Sequence, residues 1–440
     1  MTDLPLTKLA ETASTITLGW TPIPCLGYVL YADGVRKSNS WDQAKSSWKT
    51  AKAGEIRVVA LGAAATGVWP PVAPPPPGTV IDCWPGEWAA KLVVAKPGDT
   101  IMLHGVHGKL TVDRAFPTDN RLTVACAADG LVKGGRQAVE FVSNYNGYVF
   151  QDFRATILAV DTPNLDDIGV RTISFNGSAT AGNVRFRRCQ LQGGYGTWYP
   201  YSSAGRCVNL ELLDSDISLA WGDLVHAQNC NGLTIDHCVL HDLQHLTAEH
   251  HDAFQPESVD GFQFTRNHVY WTSGPGHYTG KTAAYLGQGI MVSGNAGTPP
   301  SVRNGVIGNN LIERYNGRPL NIQGAAGLLV YNNTLLDSGD GVSITFGGGT
   351  SGIEVWNNLV ESCWQEGPAP VFYGSQWLAG PSGSNIHGNP EWTGDPGLDA
   401  AYKPVTGSPV RGKGVERAGQ PAVDLDGVSR PAVPGLGAYI

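Results

Sequence analysis

The chain has 440 residues, of which 42% are apolar and only 15% charged, with 57 glycines and 29 prolines. This excludes a disordered chain, argues against helical folds, and fits a long all-β protein of two or three domains rich in tight turns. A net charge of −8 with no cluster of Lys and Arg removes the attraction a nucleic-acid backbone would need, and eight cysteines without a C-x-x-C read as small buried hydrophobes whose pairing is left open. In chain order, MTDLPLTKLAETAST has neither the basic nor the apolar region of a signal peptide, and no apolar run reaches the roughly 18 residues of a membrane span. Neither export nor membrane insertion is expected from this end. Residues 1–67 alternate apolar and polar positions in short runs broken by Pro and Gly, which predicts a small β-sandwich. Residues 68–80 follow, with six prolines between Pro70 and Pro77, and predict a semi-rigid polyproline II linker.

In the first segment Trp20, GYVLYADG (27–34) and IRVVALG (56–62) resemble a fibronectin type III domain. The resemblance implies a spacer or an attachment module without chemistry of its own.

Beyond the linker the sequence repeats itself. NVRFRRCQL, GLTIDHCVL, GFQFTRNHV, GVIGNNLI, LLVYNNTL and IEVWNNLV share apolar residues two apart, then a small polar residue, then another apolar one. The polar positions are Cys189, Ser215, Cys238, Asn267, Asn310, Asn333, Asn358 and Asn389, separated by 26, 23, 29, 43, 23, 25 and 31 residues. A unit of 23 to 26 residues containing only short strands is one coil of a solenoid. Asn310, Asn333 and Asn358 are expected to stack at one bend.

The segment EWAAKLVVAKPGDTIMLHG, these repeats and the closing DLDGVSRPAVPGLGAYI resemble the right-handed parallel β-helix superfamily of pectate lyases, polygalacturonases and phage tailspikes. The resemblance implies a right-handed parallel β-helix over residues 81–395, capped by a short helix, with residues 396–440 packing on it as a C-terminal extension.

The short strands DLVHAQ, DAFQPE, GIMVSG, PLNIQG and GVSITF can be aligned coil on coil. Taking Leu224 and Ala253 as inward puts His226 and Gln255 inward too, and sends Asp223 and Asp252 outward, one above the other on adjacent coils about 4.8 Å apart. Two carboxylates so close shift one another's pKa and can divide acid and base roles, as glycoside hydrolysis requires. His250 and His251 stand at the mouth of the strand to relay a proton, and Arg318, two coils on, can bind a sugar hydroxyl or carboxylate. Trp198, Tyr199, Trp271 and Tyr278 are candidate platforms for sugar faces, in a groove spanning residues 195–323, and Lys281 or His277 is the base an elimination would need. The competing reading makes these aspartates solvated turn formers, His226 and Gln255 satisfied core groups, and the aromatics packing residues. No cofactor is expected. The alternatives are zinc on His241, Asp242, His245, His250 and His251, whose spacing is weak, and calcium on the carboxylates.

The β-helix resemblance on a chain without an export signal points to a phage tailspike or minor tail protein in the virion, acting at the host surface. It would bind surface polysaccharide and, on the enzymatic reading, cleave it. The fibronectin-like domain would meet other tail proteins, and the spike would be a homotrimer. A secreted bacterial polysaccharide lyase or glycoside hydrolase, and a non-catalytic adhesin, are the alternatives.

Overall fold

The computed structural model describes seven strands between residues 2 and 61 by their backbone. It then describes residues 78–142, 145–176 except 163 and 166, 181–201, 206–244, 251–272, 287–294, 301–336 except 316, 342–365, 371–373, 376–377, 392–393, 395–415, 423–431 and 435–439. The N-terminal strands pair antiparallel, four in one sheet and three in another. The Pro-rich run 68–77 and Asn389 lie outside the described residues.

From Val80 onward the chain is a parallel β-solenoid with one sheet of 21 strands and a second of 12. Successive coils pair in strict register: Val225–Asp236 lies beside Phe254–Thr265 with Val225 opposite Phe254 and Asp236 opposite Thr265. Each of these 12-residue strands turns a corner where Asn229 or Ser258, then Gly232 or Gly261, takes a positive φ. One long strand therefore serves two faces of the coil.

The core is built from columns of register partners. Ile173, Trp198, Val225, Phe254, Ile290, Leu320 and Ile344 form one, and Leu191, Ile217, Leu240, Val269, Ile312 and Leu335 another, all fully buried. Aromatic partners stack face to face, Phe141 on Phe175 at 4.6 Å and Phe150 on Phe186 at 4.7 Å. Each such pair adds about 0.5–1.5 kcal/mol to what burial already contributes. The open first coil is covered by the helix Trp88–Val94, whose Trp88 and Leu92 enter the core while Trp88 Nε1 donates to the Thr111 carbonyl at 2.8 Å. The helix ends at Ala95, which is extended, just before Pro97 removes a backbone donor.

The bend that carries the repeat's polar residue has two jobs in two consecutive positions. The residues just before it, Arg188, Asp214, His237, Arg266, Asn309, Asn332 and Asn357, all adopt φ between 51° and 58°, which Asn tolerates best among side chains with a Cβ. The next residue points inward. Asn310 Oδ1 accepts the Asn267 N–H, Asn333 Oδ1 the Asn310 N–H, and Asn358 Oδ1 the Asn333 N–H, each at 2.9–3.0 Å. Their amide nitrogens donate to the carbonyls of Phe264, Ile307 and Val330. The expected stack of Asn310, Asn333 and Asn358 is present, and Cys238, Ser215 and Cys189 continue it with smaller side chains.

The described residues between 395 and 439 lie on the outer face of the smaller sheet. Leu425, Ala438 and Tyr439 pack on Leu311, and Val410 and Leu436 on Leu336 and Leu359. Asn309 and Asn357 donate from Nδ2 to the Val423 and Val415 carbonyls, at 2.7 and 2.8 Å. The seven described cysteines are free thiols, six of them buried.

Candidate active site

The strands that open each coil of the larger sheet start with two consecutive buried residues, Leu224 and Val225 in one coil, Ala253 and Phe254 in the next. From there the faces alternate with Val225, Ala227, Phe254 and Pro256 buried, so His226, Gln228, Gln255 and Glu257 point outward. The alignment of the sequence holds between DLVHAQ and DAFQPE, with His226 opposite Gln255, but it slips by one residue at Ile290, which faces Phe254 rather than Ala253, and by two beyond Leu320, which faces Ile344 rather than Val342. The face is inverted as well. His226 and Gln255 are surface groups and Asp223 and Asp252 are buried.

Those two aspartates do lie on adjacent coils, but they act as caps. Asp223 Oδ1 accepts the Asp252 N–H at 2.8 Å, and Asp252 Oδ1 accepts the Gln288 N–H at 2.7 Å. Asp252 has no exposed surface. A pair of solvent-facing carboxylates is therefore not what this rim presents, because the first backbone donors of each coil need acceptors where the strand begins. The second oxygen of Asp223 has another partner, His226 Nδ1, at 2.8 Å. The opposite ring nitrogen of His226 stands 3.4 Å from Glu257 Oε2, and Gln255 Nε2 contacts Glu257 Oε1 at 3.3 Å.

One imidazole is thus bracketed by two carboxylates. Burial alone would depress its pKa, but the hydrogen bonds and charges of Asp223 and Glu257 outweigh burial and hold it up to about 9. His226 is an imidazolium at neutral pH. The Tyr199 ring lies against it at 4.7 Å, and on Tyr199 sits the Arg171 guanidinium, 3.6 Å from the ring centroid and 5.9 Å from that of Tyr201. Burial pushes the Tyr199 phenol up to about 12, so it is a hydrogen-bond donor. The outward line is Arg171, Tyr199, His226, Glu257.

The other candidates divide. Trp198 belongs to the strand Gly196–Tyr201 and is a core residue, edge-on to Phe175 and Phe186, rather than a sugar platform in a loop. Trp271 is buried and stacked on Tyr315 at 5.1 Å. His251 is buried beside Tyr195 rather than standing at a mouth. Extending the register Phe254, Ile290, Leu320 two residues back puts Arg318 in line with Asp252, two coils on and half-buried. Tyr278, Lys281, His277, His245 and His250 lie outside the described residues.

Of the candidate zinc ligands, His241 is already committed to carboxylates, and His245 and His250 lie outside the described residues. His241 has both nitrogens engaged by carboxylates, Nε2 by Asp216 at 2.9 Å and Nδ1 by Asp242 at 2.8 Å. Although burial would raise it, Asp242 is held down to about 2, chiefly by the hydrogen bond and charge of His241. Among the described residues no group of three or more His, Cys, Asp or Glu is arranged to hold a metal ion.

Glu257 and Arg171 were not candidates from the sequence. Glu257 follows Gln255 by two residues on the same face, so the strand alignment contained it, but the inverted face hid it.

No protein-family model matches the chain, and no curated protein is detectably similar to it in sequence. Among solved structures it is similar to a pectate lyase, at 11% identity over 80% of this chain and 90% of that one, with a TM-score of 0.43. It is similar to the Dettilon tailspike protein at 13% identity over 67% of this chain and 62% of that one, TM-score 0.41. It is also similar to the catalytic domain of an α-1,3-glucanase in complex with nigerose, at 11% identity over 88% and 92%, TM-score 0.37. At such distances the chemistry of the site stands on its own geometry.

Proposed function

We propose that this chain binds a polysaccharide along the outer face of the larger sheet and hydrolyses it with Glu257 and His226. The observation that carries the reading is the outward imidazolium bracketed by Asp223 and the half-exposed Glu257. Glu257 takes a proton from the attacking water, whose oxygen bonds to the anomeric carbon. The glycosidic oxygen takes its proton from solvent as the carbon–oxygen bond breaks, while His226, whose buried Nε2 lies 3.4 Å from Glu257 Oε2, holds that carboxylate ionised. Asp223, buried and bonded at Nδ1, is a positioning residue that fixes the ring and keeps it charged. Tyr199 and Tyr201 offer ring edges and phenol donors to sugar hydroxyls.

Glu257→Gln keeps the size of the side chain and removes the base. Release of reducing ends should fall by about 10²-fold or more while glycan affinity persists. Undiminished release would remove Glu257 from the chemistry, and an absorbing unsaturated product in the native protein would replace hydrolysis by elimination. A binding-only protein is the second reading, favoured by the burial of Asp252, which leaves Glu257 without a second solvent-facing carboxylate partner. The finer placement, a trimeric tail protein of a phage attached through residues 1–67, is supported by the sequence resemblances. Sedimentation showing a monomer at micromolar concentration would exclude the trimer.

A further inference from the structure

Most arginines of the solenoid are neutralised or act as caps. Arg136, Arg185, Arg187, Arg188, Arg266, Arg303 and Arg314 each pair with a carboxylate. Arg154 and Arg430 donate to carbonyls from their terminal nitrogens. Arg171 differs. Its Nε donates to the Ile168 carbonyl at 3.0 Å, and its flat face lies on Tyr199. Its two terminal nitrogens have no hydrogen bond and no ion pair among the described residues. The neighbouring Arg136 already takes Asp167 at 2.9 Å, so that carboxylate is committed elsewhere.

A guanidinium held by its face and its Nε presents its terminal N–H groups as a fixed fork, the arrangement that recognises an oxyanion with two parallel hydrogen bonds. The desolvation it has already undergone in partial burial raises the strength of that contact. The location matters as much as the geometry. Arg171 is stacked on the same ring that touches His226, so the strip has a cationic end at Arg171 and an anionic end at Glu257, with Tyr199 between them. A glycan lying across it would place one substituent at the fork while a glycosidic bond lies near Glu257.

We infer that Arg171, with the Tyr199 and Tyr201 phenols, is a subsite for an oxyanion substituent of the glycan, making the preferred substrate an acidic polysaccharide. This rests on the glycan groove proposed above and names its substrate class. A uronate carboxylate and a sulfate ester share the required chemistry.

The test uses the full chain and three polymers: polygalacturonate, dextran sulfate and neutral dextran. Affinities are measured at low and high salt for the native protein, Arg171→Gln and Arg171→Lys, with thermal unfolding confirming that each variant is folded. The native protein should prefer one of the acidic polymers on the order of 10-fold over dextran at low salt, and which one it prefers identifies the anion. Arg171→Gln should abolish that preference, so that the acidic polymers bind no more tightly than dextran. Arg171→Lys, which keeps the charge but not the planar fork, should retain part of the preference. Equal binding of acidic and neutral polymers, or a preference that survives Arg171→Gln, overturns the inference while leaving the groove intact. Failure to bind any of the three overturns the inference and the groove together.

Discussion

Two edges of the same coil solve one problem differently. At the bend after each repeat, Asn267, Asn310, Asn333 and Asn358 cap the neighbouring coil with amides that both donate and accept, so successive members of the ladder satisfy one another. At the rim of the larger sheet, Asp223 and Asp252 cap the neighbouring coil with carboxylates, which only accept. A column of carboxylates cannot satisfy itself. It needs cations, and the one it recruits at Asp223 is His226, on the outer face. The amide edge is closed and silent, whereas the carboxylate edge leaves a charged group facing solvent. That difference separates scaffold from candidate site in two positions of otherwise equivalent geometry.

The comparison is tested most severely by giving the amide edge the chemistry of the other. In Asn333→Asp the new carboxylate would face the Ile307 carbonyl and Asn358 Oδ1, both of which now receive hydrogens from Asn333 Nδ2. With no solvent access the cost should be about 4 kcal/mol, read as a lowered denaturant midpoint. A loss under 1 kcal/mol would mean the ladder is not what holds these coils.

The converse exchange, Asp223→Asn, should be milder. The amide oxygen can still accept the Asp252 N–H, but His226 loses its nearer negative charge. Its pKa should drop from about 9 toward the ordinary 6.5, as followed by the imidazole proton shifts. Because the folded pKa is raised, the stabilisation from His226 is complete below pH 6.5 and disappears as pH rises through about 9. Native protein should therefore lose up to about 1.4 kcal/mol per pH unit within that window, and Asp223→Asn should lose much less. Parallel pH profiles for the two would show that Asp223 does not govern the imidazole.

The smallest effect is expected at the turn before the ladder. Arg188→Gly removes an exposed bidentate pair with Asp152, worth at most about 1 kcal/mol, and relieves a left-handed backbone of similar cost. The two should nearly cancel, leaving thermal stability within about 0.5 kcal/mol of the native value.

What the sequence disclosed follows from where its periodicity is chemical. Asn310, Asn333 and Asn358 recur as the same residue at nearly the same spacing, so their stack is legible. The first Asn of each Asn-Asn pair is not, because the backbone angle it adopts is shared with Arg188, His237 and Arg266, and the partners of the Asn309 and Asn357 side chains lie far along the chain. The site was half legible. Aligning DLVHAQ with DAFQPE found the correct coil-to-coil partners, but Leu224 and Val225, or Ala253 and Phe254, are both buried, so alternation has no sign at the start of the strand. A one-residue ambiguity there exchanges inside and outside, which is why Asp252 took the place that belongs to Glu257. Trp198 was misplaced for a related reason, since GTWYPY looks like a loop until Pro200 is seen to sit opposite Phe175 in the ladder.

The segment that closes over the smaller sheet has an implication for how the chain matures. Asn309 and Asn357 hold backbone that follows them by 114 and 58 residues, and Arg430 reaches back 121 residues to Asn309. During synthesis the coils around Leu311, Leu336 and Leu359 therefore emerge with an oily flank uncovered, and stay so while several dozen further residues are made. In that interval the nascent chain offers an adhesive surface to chaperones or to other copies of itself, and it becomes inert only when the trailing segment folds back.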